Sequence, residues 1–207
     1  MNSKSLAAIA VCCLPWLPGC SSVAVPSERY FRLDPPAAAE GKEPGAGILR
    51  VFDLQLGRAL DGDCLMVADG VRLQPRPLDR WIAPLDRLVT DALVLGLSRS
   101  GACVLVKGAV DPGAENWSLH GRIVEFAEVR GPNGPEARVV LELWLEAAGQ
   151  LLFQGEFAAA EPLREPSADA AVAALSRSLH GIVGSVVQRM QQHSLFAAAR
   201  PVPSPTR

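Results

Sequence analysis

Residues 136–147, EARVVLELWLEA, carry the clearest strand pattern in the chain. Every second position from 139 to 145 is aliphatic, whereas Glu142 and Glu146 occupy positions of the other parity. Successive side chains of a β-strand point to opposite faces of the sheet. The alternation therefore predicts a strand with one apolar face and one polar face.

Two further strands flank this segment. Residues 117–130 precede it across the turn sequence 131–135, GPNGP, and residues 151–158 follow a tight turn near 148–150, so the three predict a long β-ribbon. In residues 117–130 the apolar side chains change parity between Ile123 and Val124. Such a change predicts either a β-bulge or a strand with a two-sided environment.

Shorter strands and two helices surround the ribbon. The predicted strands cover residues 29–33, 48–56, 64–68, 71–74 and 104–107. The first helix begins at Pro84 and ends at Arg99, with apolar residues at three- and four-residue steps, and the second runs from an N-cap at Ser167 to about His193. This order predicts an α+β fold, a twisted mostly antiparallel sheet with the two main helices packed on one side.

The N-terminus has the pattern of a bacterial secretory leader. Lys4 precedes an almost uncharged apolar run from residue 6 to 17, and the run ends in Leu17-Pro18-Gly19-Cys20. Leu17 at −3 and Gly19 at −1 before a cysteine resemble the lipobox cut by the lipoprotein signal peptidase. Cys20 is therefore the predicted lipidation site, carrying diacylglycerol and an N-acyl chain.

The leader sets the predicted domain boundaries. Residues 1–19 are a lipoprotein signal peptide, 20–28 a lipidated tether, 29–193 the folded domain, and 194–207 a disordered Pro- and Ala-rich tail. Ser21 follows the cysteine, where Asp would retain a lipoprotein at the inner membrane in enterobacteria-like sorting. The expected location is thus the outer membrane, with the domain facing the periplasm.

Composition and motifs argue against several classes of function. The net charge is −2 and no basic patch occurs, which argues against a nucleic-acid partner. The three histidines form no constellation, and no hydrolase, metalloprotease or nucleotide-binding motif is present. Turn chemistry explains Asp61-Gly62-Asp63 better than a calcium loop does. We therefore expect no enzyme activity, no metal site and no cofactor beyond the covalent lipid.

Cys64 and Cys103 are the cysteines that remain after Cys20 in the mature chain. In an oxidising compartment they form a candidate disulfide that would close a loop of about 40 residues, worth roughly 4 kcal/mol in the chain-entropy model. The alternative is that both are small core residues. The sequence alone does not show whether their Cα atoms lie within the distance that a disulfide requires, so both alternatives stay open.

Three segments carry a family resemblance when taken in order behind the lipobox. They are Tyr30-Phe31-Arg32-Leu33, residues 65–73, and Arg80-Trp81-Ile82-Ala83-Pro84 leading into the first helix. Over about residues 28–192 the chain resembles the ABC-type transport auxiliary lipoproteins. Trp81 is also expected to be a structural anchor that fixes the entry of the helix at Pro84.

The resemblance implies a non-enzymatic periplasmic component. Relatives of this kind are similar to partners of MCE-domain proteins, which carry lipid between the inner and outer membranes. An MCE-domain partner, attachment to the membrane through the lipid anchor and a homo-oligomer are the implied associations.

Two other hypotheses stay open. One is a lipoprotein that scaffolds or activates cell-envelope machinery such as that for peptidoglycan. The other is a carrier that holds a lipid in an apolar groove between the long ribbon and the last helix.

Overall fold

The sheet is built around one long hairpin. The computed structural model describes residues 26–34, 45–60 and 62–192. Nine strands and two helices follow one another along this part of the chain: β1 (Arg29–Phe31), β2 (Ile48–Val51), β3 (Gln55–Leu56), β4 (Cys64–Asp69), β5 (Arg72–Trp81), α1 (Leu85–Arg99), β6 (Leu105–Lys107), β7 (Trp117–Gly131), β8 (Gly134–Ala147), β9 (Gln150–Pro162) and α2 (Ala168–Gln192).

Strand β7 organises the sheet because it is paired along both edges. One edge pairs with β8 in an antiparallel ladder, and β8 pairs in turn with β9. The other edge pairs, from its start to its end, with β2, β3 and β4, all in parallel. Strand β6 lies outside β2, and β5 and then β1 lie outside β4. The α+β prediction is confirmed: the long ladders are antiparallel, and the sheet is mixed because the short ones are parallel.

Both helices pack on one face of this sheet. Alternate residues of β7 and β8, among them Leu119, Ile123, Leu141 and Leu143, are fully buried. They join the buried side chains of α1 and α2 in a single core cluster. Helix α2 is long and apolar enough to cross a membrane by composition, with a mean hydropathy of 1.4, but 61% of that window is buried inside the fold.

Local signals in the sequence account for several of these boundaries. The Ser167 hydroxyl accepts a hydrogen bond from the Ala170 N–H at 3.1 Å, which confirms the predicted cap of α2. The predicted bulge is confirmed, since Val124 is the extra residue between the pairs Ile123–Leu141 and Glu125–Val140.

Two predicted strands differ from the observed ones. Residues 48–56 form two strands, because the Leu54 N–H leaves the sheet and donates to the Thr90 hydroxyl of α1 at 3.1 Å. Strand β5 continues past Gln74 to Trp81, with a register shift opposite the Cys64–Leu65 step.

Candidate functional site: the open face of the sheet

The predicted lipidation site lies outside the described part of the chain. Cys20, with Leu17 and Gly19 of the lipobox, belongs to residues 1–25, which the structure does not describe. The predicted tail, residues 194–207, is outside it as well. The lipid on Cys20 and the limits of the leader therefore stay predictions.

Trp81 and Pro84 lie where β5 turns into α1. Trp81 is 5% exposed, and its ring meets the Phe126 ring edge-on at 5.8 Å between centroids. The Trp81 N–H donates to the Asp63 carbonyl at 2.9 Å. Pro84 occupies the N-cap of α1, where the Leu85 N–H donates to the Gly62 carbonyl at 3.0 Å. The indole Nε1 of Trp81 is buried without a hydrogen-bond partner in the described structure.

The candidate disulfide is not formed in the structure. Cys64 and Cys103 are both buried, and neither belongs to a disulfide. Cys103 follows α1 and is part of the main core cluster, whereas Cys64 opens β4 and is not part of that cluster. Burial raises the pKa of the Cys103 thiol to about 12, which is the property of an unreactive core cysteine.

The lipid-carrying groove hypothesised between the ribbon and α2 concerns an interface that core side chains largely occupy. Residues of α2 such as Leu179, Ile182 and Val186 are buried in the same cluster as Val139 and Leu141 of β8. A lipid tail at these positions would have to displace core side chains. The cavity of about 280 Å³ that β9 and the end of α2 do line has Glu156, Gln188 and Arg189 on its walls.

The opposite face of the sheet carries a row of aromatic rings and a groove. We call this the open face: the side of β7, β8 and β9 that neither helix covers. Its side chains include His120 and Arg122 of β7 and Glu142 and Trp144 of β8. They alternate with the buried residues, so the strand pattern that builds the core also builds this surface.

Three rings stack across the open face. His120 and Trp144 are cross-strand partners with ring centroids 5.9 Å apart and planes 12° apart. Phe52 stacks on the other side of His120 at 4.4 Å and 11°. The Phe52 N–H donates to the Leu119 carbonyl at 2.9 Å, which fixes Phe52 beside β7. All three rings are half-buried, so each presents part of its surface to solvent.

A groove of about 910 Å³ lies beside the stacked rings. Residues 55–59 form one wall, and side chains of β7, β8 and β9 form the other and the floor. The Gly57 N–H donates to the Ile123 carbonyl at 2.9 Å. A Cβ at Gly57 would lie 2.6 Å from that oxygen, so glycine permits the close approach that shapes this wall.

Opposite charges line the groove. Arg122 and Glu142 form an ion pair at 3.4 Å, and the Gln154 amide donates to the Glu142 carboxylate at 3.0 Å. Arg58 and Glu156 lie on the walls and make no ion pair with any described residue. A surface of aromatic rings with paired and unpaired charges suits the binding of a protein segment better than the burial of a hydrocarbon chain.

The sequence alone did not reveal this cluster. His120 lies on the solvent side of β7, within a strand whose apolar alternation predicts only a core face. The signal was present in the parity of His120 and Trp144, two ring residues on the polar face of their strands. Phe52 reaches His120 only because β2 pairs in parallel with β7, and no local sequence pattern predicts this pairing.

No catalytic or metal-binding arrangement is found in the described part of the chain. There, no group of three or more His, Cys, Asp and Glu side chains could hold a metal ion. His180 lies on α2, and its ring Nε2 is 3.0 Å from the Asp34 carbonyl oxygen. The open face therefore offers contact groups and no reactive constellation.

Comparison with known proteins places the chain in a family. The model of the ABC-type transport auxiliary lipoprotein component matches residues 31–187. The protein belongs to this family. The description names a component of a transport system that is a lipoprotein, and it names no enzyme class. No curated protein matches the sequence significantly.

Solved structures support the fold. Protein XCC0632 from Xanthomonas campestris, assigned to family DUF330, is 16% identical, with a TM-score of 0.71 over 82% of this chain and 99% of its own. An uncharacterized protein is 17% identical, with a TM-score of 0.65 over 79% and 99%. The hypothetical protein CT253 from Chlamydia trachomatis is 9% identical, with a TM-score of 0.51 over 75% and 99%. At these identities the likeness concerns the fold.

Proposed function

We propose that this auxiliary lipoprotein is the periplasm-facing subunit of an MCE/ABC-type lipid transport system. Its lipid, on Cys20, anchors the domain at the outer membrane, where Ser21 rather than Asp follows the acylated residue. The domain docks the trans-envelope assembly and so supports membrane integrity. It performs no chemistry itself.

The observation that carries this proposal is the open face. The helices cover one side of the sheet, whereas three stacked rings and a groove of about 910 Å³ occupy the other. Aromatic and arginine side chains contribute most to the binding energy of protein interfaces. We assign the open face to the MCE-domain partner, with Trp144 as its central contact and Arg122 beside it.

Self-association is a further part of the proposal. Strand β9 is 13 residues long and, within the described residues, pairs with β8 along one edge only. An open strand edge of this length is available for pairing with a second chain. A homo-oligomer built through this edge would present several open faces to one ring-shaped partner.

The proposal is tested by a search of the neighbouring genes for an MCE-domain protein, a permease and an ATPase, followed by their co-expression with the lipoprotein. Affinity capture of the lipoprotein should retain the MCE-domain protein. Trp144→Ala should reduce the retained amount at least tenfold. Gln188→Ala should not change it, because Gln188 is an exposed residue of α2, on the opposite side of the sheet.

Loss of capture in both variants, or in neither, would contradict the assignment of the open face. Absence of an MCE-domain protein from the captured complex would contradict the proposed function itself. A deletion strain with defects confined to cell-wall synthesis and with normal outer-membrane lipid asymmetry would favour the scaffold hypothesis instead.

A further inference from the structure

Two hairpin turns lie side by side at one end of the sheet. Asp69, the last residue of β4, is the register partner of Arg130 near the end of β7. The turns that follow are Gly70–Val71 and Pro132–Asn133. We call residues 69–72 and 130–135 the tip end. Val71 is 104% exposed there, so its side chain contacts no other part of the described structure.

Basic side chains accompany this exposed valine. Arg72 is exposed and makes no ion pair with a described residue, and Arg130 is bonded to Glu128 at 3.2 Å while remaining largely exposed. Arg72, Arg76 and Arg130 line a small cavity of about 180 Å³ together with Asp69. The tip end thus combines an apolar apex with guanidinium groups, although Asp69 partly offsets their charge.

The other end of the sheet is distant and of different construction. Strand β7 runs 15 residues from that end to the tip end, about 48 Å at strand geometry. The loop 108–115 lies there with Val110 exposed. It is held by two buried cations, since Arg50 and Lys107 donate to the carbonyls of Gly108, Ala109, Asp111, Pro112 and Gly113.

The direction of β1 shows which end the tether comes from. Strand β1 is parallel to β5, with Tyr30 level with Arg80, and β5 runs away from the tip end. The chain that precedes β1 therefore arrives from the side of the tip end. The distance from Tyr30 to the tip end can be read from β4. Cys64 pairs with Arg80 and is therefore level with Tyr30, and β4 runs about 17 Å from Cys64 to Asp69 at the tip end. Ten residues separate Cys20 from Tyr30 and can extend about 33 Å.

We propose that the tip end rests on the membrane that holds the lipid of Cys20. Val71 enters the boundary between headgroups and acyl chains, and Arg72 and Arg130 contact the phosphates of anionic lipids. One valine gives weak insertion, so the covalent lipid retains the domain and the tip end sets its orientation. The long axis of β7 then stands away from the bilayer and exposes the open face. This inference rests on the proposed acylation of Cys20.

The test places a fluorophore at each end of the sheet. The acylated mature protein is reconstituted in vesicles of phosphatidylethanolamine and phosphatidylglycerol, with a nitrobenzoxadiazole label on Val71→Cys or on Val110→Cys. Cys64 and Cys103 are buried, so labelling of the native protein is confined to the introduced thiol. We expect quenching by doxyl lipids to be at least threefold stronger at position 71 than at 110. Equal quenching, or stronger quenching at 110, would overturn the orientation.

Mass spectrometry of the same preparations separates the two proposals. If the chain is acylated but the label at position 71 is not quenched by the lipids, the proposed contact of the tip end with the membrane is wrong, whereas the proposed anchor stands. A chain without acyl groups would overturn the anchor and the orientation together. Arg72→Gln with Arg130→Gln should weaken quenching at position 71 in anionic vesicles, and an unchanged value would remove the arginines from the proposal.

Discussion

The two faces of the ribbon formed by β7, β8 and β9 differ in burial: the helices cover one and leave the other open. Leu143 and Trp144 are neighbours on β8, yet Leu143 is fully buried under the helices and Trp144 lies half-buried in the row of stacked rings on the open face. The covered face is part of the hydrophobic core, and its aliphatic side chains belong to a single buried cluster. The open face has charged pairs, three rings and a groove.

This difference shows where stability and function are separated in the molecule. Because strand residues alternate, a substitution on one face leaves the other largely untouched. The covered face should determine folding, and the open face should determine binding. Pairs of variants at neighbouring positions can test this division.

The largest expected effect is loss of stability from the covered face. Leu143→Ala should lower the free energy of unfolding by about 2–5 kcal/mol, because it removes a fully buried side chain and leaves a cavity. Trp144→Ala should cost about 1 kcal/mol, chiefly the ring contact with His120. Urea denaturation of the mature chain carrying Cys20→Ser measures both. Equal losses would mean that the two faces are not energetically distinct.

Alanine substitutions at Gly121 and Gly155 test how closely the covered side is packed. Gly121 and Gly155 both lie opposite Leu143, on β7 and β9. A Cβ at Gly121 would lie 2.6 Å from the Glu142 carbonyl oxygen, whereas one at Gly155 would meet nothing within 4 Å. Gly121→Ala should destabilise by about 1–3 kcal/mol.

Gly155→Ala is the control and should be neutral or slightly stabilising, because alanine loses less backbone entropy on folding. Thermal unfolding of the two variants under the same conditions gives the comparison. A neutral Gly121→Ala would show that β7 and β8 can separate at low cost, contrary to a closely packed centre.

Cys103 reports whether the covered side excludes water. Its pKa is raised by burial from 9.0 to about 12, so the neutral thiol is favoured in the folded state. The resulting stability is present below pH 9 and is lost as the pH rises toward 12. Relative to Cys103→Ala, the natural protein should therefore lose stability as the pH rises from about 9 toward 12, measured by urea denaturation at each pH.

Thiol labelling adds an independent check. At pH 8 iodoacetamide should leave native Cys64 and Cys103 unmodified and should modify both in urea without a reductant. Labelling in urea only after reduction would reveal a disulfide that the structure does not contain.

The smallest effect is expected on the open face. Glu142→Gln removes the 3.4 Å ion pair with Arg122, of which the arginine side chain is 50% and the glutamate side chain 33% exposed. Exposed pairs contribute about 0–1 kcal/mol. A loss of several kcal/mol would show that the groove is part of the folding core.

Local patterns in the sequence predict the elements better than their arrangement. The strict alternation in β8, the helical spacing of α1 and the Ser167 cap of α2 are local, and each predicted the observed element. The Val124 bulge was visible as a change of parity. These features depend on residues a few positions apart, which a single sequence displays directly.

The parallel ladders could not be predicted in this way. Strands β2, β3 and β4 pair with β7 across 50 or more residues of chain, and the sequence of none of them indicates its pairing partner. The open-face cluster depends on them, because the β2–β7 ladder brings Phe52 to His120. The contact of Leu54 with Thr90, which splits the predicted strand 48–56, is likewise a tertiary event.

Site-specific photo-crosslinking tests the central claim most directly. Benzoylphenylalanine replaces Trp144 on the open face or Gln188, an exposed residue of α2, in cells that express the lipoprotein and the proposed MCE-domain partner. We expect a covalent adduct with the MCE-domain protein from position 144 and none from position 188. An adduct from position 188 alone would contradict it and place the partner on the helical side.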